Sequence, residues 1–171
     1  TWIMRCHEFG WLADFAAADG PTARRQTREL IRRWIADFGR WSALAWRPDV
    51  LGIRLVSWLA QADFLLVDAE PDFTETFLRL IGEQYRHLGH AQGLVESHSH
   101  RGIARASYLT ASVALGRRTA TFERHLDRLI ADVMPVADGR ATRSPSDLLR
   151  TLTALVMTRD ALRDGSKPLA A

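Results

Sequence analysis

Apolar residues recur at helical spacing along nearly the whole chain, and no stretch shows the strict alternation of a half-buried strand. This constrains the fold more than any other feature, because amphipathic helices joined by short turns must bury their stripes against antiparallel neighbours. Seven segments follow. The first runs from about His7 to Ala18 and stops at Asp19-Gly20-Pro21. The second starts near Thr22 and buries Leu30, Ile31, Trp34, Ile35 and Phe38, with Gly39 as its stop. Pro48-Asp49 opens the third, whose stripe is Leu51, Leu55, Trp58, Ala62 and Leu66. Glu70-Pro71-Asp72 opens the fourth, with Phe73, Phe77, Leu80, Ile81, Gln84 and Leu88 on one side. A polar loop from Gly89 to about His100 precedes the fifth, from about Gly102 to Leu115, whose small residues suit close packing. The sixth carries Phe122, Leu126, Leu129, Ile130 and Val133 and is closed by Pro135. Ser144-Pro145 caps the seventh, which carries Leu148, Leu149, Leu152, Leu155, Val156 and Leu162 and ends at Gly165. The fold class is all-α.

Composition limits the functional classes. The chain has 171 residues, 47% of them hydrophobic and 25% charged, with six Trp and seven Phe, enough for one packed core. One cysteine, Cys6, leaves no intrachain disulfide. No apolar run reaches the length of a membrane span. The net charge is +3 although the pI is about 9.7, because 22 of the 23 basic residues are arginine. That excess is spread over all helices instead of forming the stripe that nucleic acid requires.

Three ordered stretches resemble the heparinase II/III family, especially its proteobacterial members. They are His7-Glu8-Phe9-Gly10-Trp11-Leu12, followed by a helix ending in Trp34-Ile35; Trp46-Arg47-Pro48-Asp49, leading to Arg54-Leu55-Val56-Ser57-Trp58-Leu59; and Asp138-Gly139, then Arg143-Ser144-Pro145-Ser146. The resemblance spans about Cys6 to Asp160. It implies antiparallel helical hairpins forming part of an incomplete (α/α) toroid, with residues 1–171 a single all-α fragment of a longer protein that lacks the family's β-sandwich domain in cis. It also implies that some apolar faces stay exposed.

The activity so implied is a polysaccharide lyase acting on uronic-acid polymers by β-elimination, with an anionic polysaccharide as partner and no cofactor. In such lyases an amide neutralises the uronate carboxylate, and a Tyr acts as acid or base. At the matching positions this chain carries Ser99-His100 and Asp147, so the usual Asn and Tyr are replaced and the fragment is catalytically incomplete. The catalytic positions expected from the motif are Ser99, His100 and Asp147. The expected sugar-binding residues are Arg101, Arg143, Arg140 and Trp46, with His100-Arg101 and Arg143-Ser144-Pro145 on one rim at two helix N-termini. His87, His90, His98 and His100 read as polar residues at helix ends, and no metal is expected. Tyr85 and Tyr108 read as core. The alternative is a non-catalytic helical module that binds carbohydrate or another protein.

Overall fold

The computed structural model describes residues 2–140 and 144–164. Nine helices account for most of them: α1 (Trp2–Glu8), α2 (Leu12–Ala18), α3 (Gly20–Phe38), α4 (Pro48–Ala60), α5 (Ala62–Leu66), α6 (Pro71–Ala91), α7 (His98–Ala114), α8 (Phe122–Ala137) and α9 (Pro145–Asp164). No strand occurs among the described residues, as the periodicity requires, and none of these helices is long and apolar enough to cross a membrane.

Two expected helices are each broken in two. The first breaks after Glu8, where Phe9 takes φ 57 and drops its ring into the core. The third breaks at Gln61, whose φ of −111 leaves the helical region before α5 starts. Prolines sit at the starts of α3, α4, α6 and α9, where their missing N–H costs nothing. Pro135 does not close its helix; it lies inside α8, which runs on to Ala137. The helix stop expected at Gly165 lies outside the described residues.

The polar loop before α7 is shorter than expected. α6 continues to Ala91, and α7 begins at His98, where the Ser97 hydroxyl accepts from the His100 N–H at 3.5 Å. Ser99, His100 and Arg101 therefore stand in the first turn of a helix, not in a loop.

Packing pairs fix the topology. Arg54 meets Gln84 and Trp58 meets Phe77, so α4 and α6 are antiparallel. Tyr85 meets Ser112 while the Gly89 backbone lies against Tyr108, so α6 and α7 are antiparallel as well. Arg101 and Arg105 meet Asp132 and Tyr108 meets His125, which sets α8 antiparallel to α7. Ser99 meets Thr151 and Thr110 meets Thr158, so α9 runs parallel to α7. The N-termini of α7 and α9 thus share one end of the array.

α7 is buried nearly all round, and its small residues let neighbours approach closely. A Cβ on Gly52 of α4 would lie 2.8 Å from the Ser107 Cβ, so that crossing depends on glycine. The main core gathers Phe9, Trp34, Trp58, Phe77 and Leu88 around α4, and a smaller one joins Leu109, Phe122 and Leu129.

Candidate interaction surface

The expected sugar-binding residues are mostly committed within the fold. The Arg101 guanidinium donates to Asp132 at 2.6 Å and to the Val95 carbonyl at 2.7 Å, and it contacts His98 Nδ1 at 3.1 Å. Arg105 donates to the other Asp132 oxygen at 2.5 Å, so one buried carboxylate balances two arginines across α7 and α8. Ser99 is buried, with its hydroxyl 3.2 Å from that of Thr151. His100 is half-buried, and its backbone N–H donates to the Ser97 hydroxyl that caps α7. Asp147 lies in the first turn of α9, where its N–H donates to the Ser144 hydroxyl at 3.3 Å and its carbonyl accepts from Thr151 at 2.8 Å. Arg140 is exposed and turns back on Asp138 at 2.7 Å. Arg143 lies outside the described residues. Trp46 is buried, donates to the Phe38 carbonyl at 3.0 Å and meets the His87 ring edge-on, so it plugs a corner and presents no stacking face.

The two tyrosines stack at 5.1 Å, with their hydroxyls 3.4 Å apart. Burial, with Tyr85 beside it, pushes the Tyr108 hydroxyl up to about 12, so it keeps its proton at neutral pH. Among the described residues no group of three or more His, Cys, Asp or Glu is placed to hold a metal.

The motif residues converge elsewhere, on a buried polar knot that the sequence reading did not anticipate. Arg54 is fully buried, donates to Gln84 at 2.8 Å and to the carbonyls of Ala45 and His7 at 2.7 and 3.2 Å, and lies over the Trp34 ring. Burial lowers it to about 9, and burial, with the Arg54 charge beside it, lowers His7, which accepts from Trp34 Nε1 at 3.0 Å. Arg47 grips the buried Asp49 through two bonds, at 2.6 and 2.7 Å. These contacts tie α1, α3, α4 and α6 together, which is a structural role.

The surface left open lies along α9. Part of its apolar stripe is open: Leu149 is 66% exposed, Leu152 49% and Val156 45%, in line with the expectation that some apolar faces stay exposed. The reason is geometric: α9 packs on α7 through Thr151 and Thr158, and Ala154, Leu155, Ala161 and Leu162 pack against the smaller core, while Leu149, Leu152 and Val156 are left outside these contacts. The same holds for Ile130 of α8, which is 52% exposed, and for Leu30 of α3.

Between α9 and the α1–α4 layer lies a cleft of about 250 Å³. Ile53, Val56, Leu149, Ala154 and Met157 form its walls, and Ser107 and Thr110 lie on its α7 side. Arg150 donates to the Glu8 carboxylate at one edge, and burial raises the Glu8 carboxyl against that arginine's pull. The Ser57 hydroxyl donates to the Glu8 carbonyl at 3.2 Å, and the Thr110 hydroxyl to the Ala106 carbonyl at 3.0 Å. Among the described residues no base addresses either of these hydroxyls, and the Glu8 carboxylate is held by Arg150. Such a cleft can bind an apolar group. The sequence signal for it was an α9 apolar on two sides.

No family model matches the chain, and no solved structure matches it. The chain is 30% identical over 166 residues to FtsZ-localized protein C of Caulobacter vibrioides (strain NA1000 / CB15N), an alignment covering 95% of this chain. The chain spans 28% of that relative's length. This similarity corrects the expectation of a uronate polysaccharide lyase with an anionic polysaccharide partner: the relative is named for its localization with FtsZ and not for lyase chemistry.

Proposed function

We propose that this chain is a non-catalytic helical module that binds another protein, and that it serves a protein localized with FtsZ. The observation that carries the reading is the apolar cleft rimmed by the exposed side chains of Leu149 and Met157. An open apolar pocket beside a fixed ion pair suits a partner's anchoring side chain, which such pockets hold by excluding water. Methionine at the rim adds adaptability. Support also comes from the similarity to FtsZ-localized protein C. On this reading the antiparallel hairpins are an arc of an (α/α) toroid kept without its chemistry.

The test is localization in cells. A fluorescent fusion of this chain is expected to follow FtsZ, and the variant carrying Leu149→Arg and Met157→Arg to spread evenly at equal abundance. A diffuse wild-type fusion, or a variant that still follows FtsZ, would overturn the proposal.

A further inference from the structure

A second apolar surface lies on the other side of α9. A groove of about 440 Å³ runs between α8 and α9, floored by Leu129, Val133, Leu155 and Leu162. Along its α8 lip, Glu123, Asp127, Ile130 and Met134 follow one another at i, i+4, i+7 and i+11, all exposed. Along its α9 lip, Leu152, Val156, Arg159 and Arg163 repeat that spacing, also exposed. This is the seam pattern of packed helices, with acid at one end of the α8 lip and base at one end of the α9 lip.

The two charged ends lie level. α8 is antiparallel and α9 parallel to α7, so the start of α8, with Glu123 and Asp127, stands beside the end of α9, with Arg159 and Arg163. Ile130 and Met134 then stand beside Val156 and Leu152. Within one chain the opposite charges line separate lips: Arg159 pairs with its neighbour Asp160 at 2.7 Å, and Arg163, Glu123 and Asp127 form no ion pair among the described residues.

We propose that a second copy of this chain occupies this groove, forming an antiparallel four-helix bundle about a two-fold axis parallel to α8 and α9. That operation lays each α8 on the α9 of the other copy. Glu123 and Asp127 then face Arg163 and Arg159, and Ile130 and Met134 face Val156 and Leu152. The surface is self-complementary in charge, as an isologous interface requires. Any other partner would have to carry the same acid–apolar–base order, which the chain itself supplies. The inference goes beyond the partner-binding reading, since it uses the opposite side of α9.

Sedimentation equilibrium of the purified chain tests it. The wild type is expected to dimerise, more weakly at high salt. Arg159→Glu with Arg163→Glu, and separately Glu123→Arg with Asp127→Arg, should each weaken dimerisation about tenfold or more, since like charges would then face each other. Mixing the two variants should restore a dimer, now a heterodimer. Ile130→Glu should give a monomer with unchanged helical circular dichroism. A wild type that stays at its 19.3 kDa monomer mass, or variants that do not recover on mixing, would overturn the proposal.

Discussion

Arg150 on α9 donates to the Glu8 carboxylate on α1, closing the last described helix onto the first across 142 positions of sequence. Its guanidinium also lies 3.7 Å from Asp49, which Arg47 already holds, so two arginines and two carboxylates form one neutral cluster beside the cleft. Glu8 and Asp49 are buried, and neither tolerates losing its cation.

Replacing Arg150 with Met should therefore cost about 2 kcal/mol, below the full value for a deeply buried pair because the arginine is partly exposed. Adding Glu8→Gln should recover part of that loss. Urea denaturation of the two single variants and the double variant checks it; strictly additive losses would contradict the pairing.

Asp132 offers a sharper case. Asp132→Asn should destabilise the fold by about 3 kcal/mol, because the buried Arg105 and the half-buried Arg101 would remain around a neutral amide. Arg101→Ala should cost less, since Arg105 still balances the carboxylate. Equal and negligible effects in denaturant titrations would mean that Arg101 is free to serve a ligand.

Gly52→Ala should destabilise by about 1–3 kcal/mol, because the new methyl meets the Ser107 Cβ at 2.8 Å on two packed helices. Ser107→Gly in the same chain removes the opposing atom and should recover much of the loss. Thermal melts of the single and double variants decide it.

The helix starts at Pro48, Pro71 and Pro145 were legible because proline fixes φ and forgoes a bond the first turn does not need. The Phe9 break was not, since a positive φ there is imposed by burying the ring between Trp34 and Trp58. Asp132 gave no local signal, because its partners lie about thirty residues away. The α9 stripe shows which residues are apolar but not which of them a neighbour covers, so the sequence does not single out Leu149 and Leu152 as the exposed ones. In the first two motif stretches, Trp34, Arg47, Asp49 and Arg54 make contacts that hold the helices together.

Stability should fall on mild acidification. Burial, with nearby arginine or histidine charge, lowers His7, His87 and His125 from the ordinary 6.5. Below 6.5 the unfolded chain then binds protons that the folded chain refuses, so stability is present above that value and lost as pH falls. Glu8, raised by burial, opposes this above its ordinary 4.5. The denaturation midpoint should drop between about pH 7.5 and about pH 5.5, and His87→Asn should flatten the slope. A midpoint that rises on acidification would contradict it.

Recruitment to the sites where FtsZ gathers tests the central claim most directly. A fluorescent fusion of the chain, imaged together with labelled FtsZ, should overlap it. The Leu149→Arg and Met157→Arg variant, with unchanged circular dichroism and equal abundance, should lose that overlap by about tenfold or more, as expected for anchors around a pocket. No overlap for the wild type, or equal overlap for the variant, would contradict the account.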